Sequence, residues 1–295
     1  MKRPILPFVA LTLMALLFGL SFVATKYALQ SIPPFTLVFL RFFIALLLLE
    51  MIYLPSRGAK PGRREGWRVF LISLIVPGLY FLAETYGLKL SSATSISLLI
   101  GTIPIFASFF GFLILKERIG MGRGAGILIS VFGVGIILTA SAAGPSDWQI
   151  VQIGNLLGVG AAACAGLYAA LGRHLLSRLS PLTLTTYQAL SATILFLPLA
   201  GWEAFNHPWS GFSPSALLAV AYLGLFCSVL AFFLWNYGIS RLEASRASVF
   251  NNLAPVFTVF GANFLLGERI HPGQIIGGVL VICGVTLAGA ARKPH

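Results

Sequence analysis

Residues 104–134 read PIFASFFGFLILKERIGMGRGAGILISVFGV, and residues 255–285, which lie 151 positions later, read PVFTVFGANFLLGERIHPGQIIGGVLVICGV. The two stretches align without a gap. The recurring residues are Pro104, Glu117, Arg118, Gly122, Gly126 and Gly133, which return as Pro255, Glu268, Arg269, Gly273, Gly277 and Gly284. Two helices that shared only an apolar bias would not keep these residue types in register. The chain is therefore predicted to contain an internal repeat.

The beginning of each half repeats as well, at a shift of 147 residues. Gly19-Leu20 and Pro34 recur as Gly166-Leu167 and Pro181. We therefore divide the chain into two repeats of the same architecture, residues 1–144 and residues 145–295.

The composition places both repeats in lipid. The 295 residues are 58% hydrophobic and 9% charged, whereas about 25% of the residues of a soluble domain are charged. With a mean hydropathy of +0.92, too few charged side chains are left to cover a water-exposed surface. This excludes a water-soluble globule and predicts an all-α integral membrane protein, because segments in lipid must bond their backbone groups internally.

Ten apolar runs are long enough to be membrane spans, since a bilayer core of ~30 Å takes about 20 helical residues. They are Ile5 to Tyr27, Phe35 to Leu54, Trp67 to Leu88, Ala93 to Leu115, Gly122 to Ala140, Ile150 to Leu171, Leu182 to Gly201, Pro214 to Tyr237, Ser245 to Leu266 and Pro272 to Ala290. The first run could be a cleaved signal peptide, but it is longer than a usual signal core and nine further runs follow it. The sequence thus predicts ten transmembrane helices, five in each repeat.

The basic residues indicate the orientation. With the amino terminus in the cytoplasm, 16 Lys and Arg residues fall in cytoplasmic segments and three, Lys26, Lys89 and Arg269, fall outside. Both termini are therefore expected in the cytoplasm, with the spans in a cell inner membrane or plasma membrane. The net charge of +12 is then an orientation signal, and no nucleic-acid partner is expected.

Five spans per repeat is an odd number, so the second repeat must start on the opposite side of the membrane from the first. The two repeats are therefore predicted to be inverted. Transporters of this architecture place a substrate site near the midplane, between the two halves. A duplicated bundle without transport activity is the alternative.

Further motifs carry a family resemblance. The first two spans contain Phe18-Gly19-Leu20-Ser21-Phe22, Lys26, Pro33-Pro34 and Phe39-Leu40-Arg41, and each half ends with a proline, a Leu-x-Glu-Arg run and a glycine. With these motifs the chain resembles, over essentially its whole length, the EamA family of the drug/metabolite transporter superfamily. The resemblance implies a ten-helix carrier that exports small organic metabolites, with a cavity lined by spans one, three, four, six, eight and nine. The chain is also similar to the aromatic amino-acid exporters of this family.

Ionisable groups inside a span are costly and are therefore functional candidates. Glu84, in the outer part of span three, could bind a cationic amine or take up a proton, and Arg41 lies about two turns into span two. The alternative for Glu84 is a side chain that reaches the outer interface or pairs with Lys89 or Arg41. Gln188 stands where the second repeat would have its arginine, so any role of Arg41 is confined to one half.

Polar and aromatic side chains complete the predicted substrate site. Asn251, Asn252 and Thr102 precede prolines in spans nine and four, where they could bind a ligand's polar groups; hydrogen bonding between helices is the alternative. Aromatic residues on the spans that the resemblance places around the cavity are Phe18, Phe22, Tyr80, Tyr168, Tyr222 and Trp235. A ring-lined pocket would favour apolar or aromatic ligands, and contact with lipid or a neighbouring helix is the alternative.

Prolines inside the spans are predicted to act as hinges. Pro77-Gly78 in span three, Pro104 in span four and Pro255 in span nine interrupt backbone hydrogen bonding. Bends in paired positions of two inverted halves suit alternating access, and fixed kinks are equally compatible with the sequence.

Together these features predict a secondary transporter that exports small organic metabolites, amino acids with aromatic or hydrophobic side chains being favoured. A channel would need a continuous polar ring. A membrane-embedded enzyme would need a nucleophile, base or metal cluster, whereas the four histidines lie at span ends or in loops. We therefore expect no enzymatic activity, no cofactor and no metal site. The expected partners are a small-molecule substrate and the lipid bilayer, and the spacing Gly122-x3-Gly126 also allows a homodimer.

The inverted arrangement predicts that residues 117 and 268 lie on opposite faces of the membrane. In a background where Cys164, Cys227 and Cys283 are replaced by serine, Glu117→Cys should react with a membrane-impermeant maleimide from the cytoplasmic side and Glu268→Cys from the outside. Labelling of both cysteines from one side would mean that the two repeats are parallel.

Overall fold

The structure, a computed structural model, describes residues 5–56, 62–115, 121–140, 147–176, 179–206, 211–242 and 250–290. The two chain ends, the Glu117-Arg118 pair and the predicted boundary between residues 144 and 145 lie outside these ranges. Within them the chain is helical, and no β-strand occurs there.

The described residues form a bundle of α-helices. These are α1 (Leu6–Ala28), α2 (Pro34–Ser56), α3 (Arg63–Ser73), α4 (Tyr80–Leu90), α5 (Ala93–Ile100), α6 (Ile103–Leu115), α7 (Met121–Thr139), α8 (Trp148–Leu176), α9 (Pro181–Asn206), α10 (Pro214–Tyr222), α11 (Phe232–Arg241), α12 (Ala254–Leu266) and α13 (Pro272–Ala290). Wider, π-type turns over Leu74–Leu79 join α3 to α4, and similar turns over Leu223–Ala231 join α10 to α11. A short 3-10 turn, Phe250–Leu253, precedes α12.

Several of these helical stretches are long and apolar enough to cross a bilayer. Among the described residues there are seven, namely Leu6–Ala28, Pro34–Ile52, Arg63–Leu90, Ala93–Ile114, Trp148–Leu171, Pro181–Asn206 and Pro214–Gly238. Three shorter apolar helices are Gly124–Thr139, Phe250–Leu266 and Pro272–Ala288. The predicted all-α membrane class is confirmed at this level, whereas the number of ten spans and the inversion of the repeats stay predictions.

Local chemistry fixes several helix ends. The Ser92 hydroxyl accepts a hydrogen bond from the Ser95 N–H at 3.0 Å and so begins α5. Ser213 begins α10 in the same way, with the Ala216 N–H at 3.2 Å. Such caps satisfy N–H groups that have no partner inside the helix. At the other end of α12, Gly267 takes a left-handed conformation with φ of 65°, which glycine adopts at little cost.

Two carboxylates cap helix N-termini from a distant part of the sequence. Glu203, near the end of α9, accepts hydrogen bonds from the N–H and hydroxyl of Thr36 at 2.8 and 2.9 Å, at the start of α2. Glu268, just after α12, accepts the same pair from Thr94 at 3.1 and 3.0 Å, at the start of α5. A negative charge is favourable at a helix N-terminus. The two caps therefore tie the first repeat to the second.

Lys26 completes this end of the bundle. Its ammonium donates to the backbone carbonyls of Leu88, at 2.7 Å, and of Ser91, at the end of α4. A positive charge is favourable where helix carbonyls lack partners. We call the region of Glu203, Glu268 and Lys26 the capped end of the bundle.

Glycines let the backbones of α7 and α13 touch. A Cβ atom on Gly133 would lie 2.6 Å from the Gly277 carbonyl oxygen, and one on Gly284 would lie 2.5 Å from the carbonyl oxygen of Gly126. Gly126 thus meets Gly284 while Gly133 meets Gly277, so the two helices run antiparallel. Small residues at this spacing permit close approach in lipid. These four glycines therefore serve the packing of α7 against α13 within one chain.

This contact gives a stability prediction with a matched control on one helix. Gly133→Ala should lower the free energy of unfolding by about 1–3 kcal/mol, because its methyl group overlaps the Gly277 carbonyl. Gly135→Ala, two residues along, adds a methyl group that meets nothing within 4 Å and should be nearly neutral. Unfolding in mixed micelles with increasing dodecyl sulfate measures both. Equal effects would contradict the tight α7–α13 packing.

Candidate functional site

A cavity lies between helices of both predicted repeats. Its walls come from α1, α2, α4, α5, α6, α8, α11 and α12 and from both the Leu74–Leu79 and the Phe250–Leu253 turns. The cavity has a volume of about 90 Å³, which is room for several waters or part of a small ligand. The lining is mostly apolar, with a few polar groups, as in small-molecule sites generally.

Most of the residues predicted to bind substrate line this cavity. They are Phe18, Phe22, Tyr80, Glu84, Tyr168, Trp235 and Asn251. The other three do not line it. The Tyr222 hydroxyl donates to the Leu17 carbonyl at 2.9 Å, and the Thr102 hydroxyl donates to the Leu99 carbonyl at 2.5 Å. The Asn252 amide is buried and has no hydrogen-bond partner in the described part of the chain.

The predicted hinge residues lie at real interruptions of the helices. Pro77 and Gly78 belong to the Leu74–Leu79 turns, where Val76 leaves the helical conformation at φ of −135° and ψ of 115°. Pro104 and Pro255 are each the second residue of a new helix, α6 and α12, because the break comes just before the proline. Pro255 lines the cavity, as does Val76 beside Pro77.

Two buried charges face the cavity from the first repeat. Arg41 is 2% exposed and Glu84 is 3% exposed. No ion pair joins Glu84 to Arg41 or to Lys89 within the described ranges, and Glu84 Oε2 has no hydrogen-bond partner there. Lys89 instead lies exposed at the surface, 6.0 Å from the centre of the Tyr86 ring. Glu84 is thus buried beside the cavity and is not exposed at the surface of the described bundle.

Arg41 is held by aromatic and polar contacts. Its guanidinium carbon lies 4.5 Å from the centre of the Phe81 ring and 5.6 Å from that of Phe42. Its Nε–H donates to the Ser228 hydroxyl at 3.1 Å, within the Leu223–Ala231 turns. Cation–π contacts of this kind stabilise a guanidinium group, most strongly where water is excluded.

Aromatic rings form the wall between the two halves. Phe81 and Phe232 lie 6.1 Å apart, centre to centre, and both line the cavity. They are 151 positions apart, so they are equivalent residues of the two repeats. Tyr80 packs edge-on against Phe81 at 4.9 Å, and Phe18 packs edge-on against Phe232 at 5.7 Å.

A buried amide network supports one side of the cavity. Gln188 Nε2 donates one hydrogen bond to the Tyr168 hydroxyl at 3.1 Å and a second to the Val76 carbonyl oxygen at 3.4 Å. Asn236 Nδ2 donates to the Thr185 hydroxyl at 2.8 Å and to Gln188 Oε1 at 3.3 Å. Gln188 therefore supplies a partner to backbone at the break in span three, which lipid could not.

Sequence reasoning missed several lining residues. Arg41 was predicted to be a functional charge but was not included among the substrate-binding residues. Phe81, Phe232 and Ser21, which also line the cavity, were not predicted at all. The repeat held a usable signal, because the 151-residue shift pairs Phe81 with Phe232 and the 147-residue shift pairs Ser21 with the lining residue Tyr168. In the described residues no group of three His, Cys, Asp or Glu side chains could hold a metal ion.

Comparison with known proteins identifies the family. The sequence model of the EamA-like transporter family matches residues 6–139 and, a second time, residues 152–290. The chain belongs to this family. The resemblance predicted from the motifs is thereby confirmed, and this EamA-like chain is a transporter rather than an enzyme.

Relatives of the EamA-like chain match over nearly their whole lengths. An uncharacterized transporter of Archaeoglobus fulgidus is 30% identical over 96% of this chain and 96% of its own. A probable terminal-alkyne amino-acid exporter of Streptantibioticus cattleyicolor is 26% identical over 94% of this chain and 91% of its own. A protein of known crystal structure, 19% identical, superimposes with a TM-score of 0.69 and coverage of 98% and 99%. That last likeness shows the fold.

The amide network predicts a destabilised variant with a control on the same helix. Gln188→Leu should cost about 1–3 kcal/mol of unfolding free energy, because it leaves buried polar groups of Tyr168, Val76 and Asn236 with fewer partners. Thr193→Val should cost less, since the Thr193 hydroxyl donates to the Ala189 carbonyl within its own helix. Dodecyl sulfate titration compares the two. If Gln188→Leu left the unfolding free energy unchanged, the network would not support the cavity wall.

Proposed function

We propose that this protein is a secondary transporter that exports small organic metabolites, most favourably amino acids with aromatic or hydrophobic side chains, by alternating access at the central cavity. The observation that carries the proposal is the cavity itself, which is walled by residues of both sequence repeats and contains buried charges. Ionisable groups at such depth in a membrane protein mark substrate or ion paths.

Reciprocal contacts support ten spans arranged as two inverted repeats, residues 1–144 and 145–295. Gly126 meets Gly284, and Gly133, the equivalent of Gly284, meets Gly277, the equivalent of Gly126. This pattern, in which i contacts j and j contacts i, is that of a two-fold axis. Phe81 and Phe232, themselves equivalent, meet each other as residues beside such an axis do.

A second reciprocal contact involves the irregular turns of spans three and eight. Arg41 and Gln188 are equivalent at the 147-residue shift. Arg41 bonds Ser228 in the turns of span eight, and Gln188 bonds the Val76 carbonyl in the turns of span three. Ser228 is the equivalent of Pro77, the neighbour of Val76. Each half therefore holds the irregular turns of the other, an arrangement suited to one half moving against its mate.

The proposed route runs from the cytoplasm to the outside. Both termini lie in the cytoplasm of a cell inner membrane or plasma membrane in this proposal, because basic residues collect on that side. The capped end then faces outward, where Glu203, Glu268 and Lys26 close the bundle. Asn251 lines the cavity toward the opposite side, and the turns at Pro77-Gly78, Pro104 and Pro255 are the proposed hinges.

The proposed substrate follows from the lining. Phe18, Phe22, Tyr80, Tyr168 and Trp235 present rings that favour apolar or aromatic side chains. Glu84 and Asn251 supply polar contacts for a backbone-sized head group. The printed name of the Streptantibioticus relative, a probable terminal-alkyne amino-acid exporter, agrees with an amino-acid substrate.

Counterflow in proteoliposomes tests the proposal, with Trp235→Ala as the diagnostic variant. The wild-type protein should exchange labelled phenylalanine saturably. Trp235→Ala should weaken exchange of phenylalanine or tryptophan about 10-fold more than exchange of small polar amino acids, because it removes apolar contact area from the cavity wall. Trp148→Ala, at an exposed position, is the control. Equal losses for all solutes would contradict the aromatic site, and rapid, non-saturating flux would indicate a channel.

A further inference from the structure

We infer that the cavity recognises its substrate as a zwitterion, with Glu84 binding the ammonium group and Arg41 binding the carboxylate. This inference rests on the proposed function, and it specifies the charge pattern that the transported molecule must carry. It assigns a direct ligand-binding role to Arg41 and excludes simple amines and simple acids as preferred substrates.

Glu84 has an unused acceptor in the cavity. The side chain is 3% exposed, and Oε2 is buried without a hydrogen-bond partner in the described residues. An unpaired carboxylate oxygen in a low-dielectric site is costly, so it is not expected to stay without a donor. Lys89 is turned toward the Tyr86 ring at the surface and does not serve as that donor. A substrate ammonium group, with three N–H donors, satisfies the vacant acceptor.

Arg41 has unused donors on the same cavity. Its Nε–H is committed to Ser228, and Phe81 covers one face of the guanidinium group. A guanidinium group carries five N–H donors, and the terminal nitrogens of Arg41 make no hydrogen bond to another described residue, so they are available for a ligand. Their planar fork matches the two oxygens of a carboxylate. The bond to Ser228 and the ring contact hold this fork in one orientation, which reduces the entropy cost of binding.

Charge balance favours a zwitterion over a singly charged ligand. Arg41 and Glu84 together leave the cavity with no net charge, and a zwitterion keeps it so when bound. An amine would pair Glu84 and leave Arg41 as an uncompensated buried cation, and an acid would do the reverse with Glu84. Uncompensated charge in such a site carries a large penalty. Transport of a bound zwitterion across the membrane therefore also moves no net charge.

The charges occur once, which fixes the direction of the bound molecule. The equivalents of Arg41 and Glu84 in the second repeat are Gln188 and Trp235. The zwitterionic head group therefore binds to the first repeat. The side chain of the substrate then faces the wall formed by Trp235, Tyr168 and Phe232 of the second repeat.

The test uses three ligands that share a phenyl ring and differ in charge: phenylalanine, phenethylamine and 3-phenylpropionate. Each competes with labelled phenylalanine in counterflow, and each is measured for thermal stabilisation of the purified protein, which reports binding without transport. The wild-type protein should prefer phenylalanine to either analogue by about 10- to 100-fold, the range for a lost hydrogen bond to a charged group. This comparison needs no substitution, so it does not depend on a variant that folds.

Two variants then separate the roles of the charges. Arg41→Gln should weaken phenylalanine and phenylpropionate and strengthen phenethylamine, because the bound amine then leaves no uncompensated cation. Glu84→Gln should weaken phenylalanine and phenethylamine and strengthen phenylpropionate, because the bound acid then leaves no uncompensated anion. Glu50→Gln and Arg241→Gln, which change charges away from the cavity lining, are the controls. Arg41→Lys keeps the charge and should retain part of the carboxylate preference.

The outcomes distinguish the site from the function. If phenylalanine exchanges but all three ligands bind equally, or if each variant weakens all three by one factor, the zwitterion site is wrong and the transporter stands. If the wild-type protein exchanges neither phenylalanine nor any other amino acid, both the proposed function and the zwitterion site are wrong. The inference is supported if the wild-type protein prefers phenylalanine to both analogues, if Arg41→Gln removes the preference over phenethylamine, and if Glu84→Gln removes the preference over 3-phenylpropionate.

Discussion

The fold depends on one constraint: lipid offers no hydrogen-bond partners, so polar groups at a break in a membrane helix must be bonded by the protein. This chain has irregular helical turns at two places, one of them broken at Val76, and residues of the opposite repeat bond both sets of turns. Gln188 bonds the Val76 carbonyl in the first irregular segment, and Arg41 bonds Ser228 in the second. Val76 and Arg41 both line the cavity, so the contacts that hold these irregular turns also shape the candidate site.

The two repeats differ where identical residues would be unfavourable. A faithful copy of the first repeat would bring a second arginine and a second glutamate to the same cavity. Like charges at short distance in a medium of low dielectric repel strongly. Gln188 and Trp235 occupy those positions instead. Among the described lining residues this difference leaves one cation, one anion and an aromatic wall, so the two repeats contribute different chemistry to the cavity.

The sequence predicted the helical membrane class, the repeat register and the family, because prolines, glycines and the Glu-Arg pair are discrete markers that align without structural knowledge. It predicted the cavity lining in part. Glu84, Trp235 and Asn251 line the cavity, but Tyr222 bonds Leu17 instead. Spans that are apolar on every side carry little information about their rotation, and each residue turns the side chain by about 100°.

The role of Glu203 was beyond sequence reasoning for a related reason. Nothing local indicates that a carboxylate near the end of α9 meets the start of α2, more than 160 residues earlier. A cap of this kind depends on where two distant helix ends come together. The same holds for the contact between Lys26 and the carbonyls at the end of α4.

The glycine contact between α7 and α13 has a mechanical consequence. Over their described residues these two helices contribute nothing to the cavity lining. Their backbones touch directly at the paired glycines, so at these points no side chain lies between them that could change rotamer and let one helix slide along the other. In the proposed alternating-access cycle, this contact between the two halves would therefore stay closed. A covalent crosslink between α7 and α13 would then be compatible with the proposed cycle, and the helices that line the cavity would carry out its rearrangement.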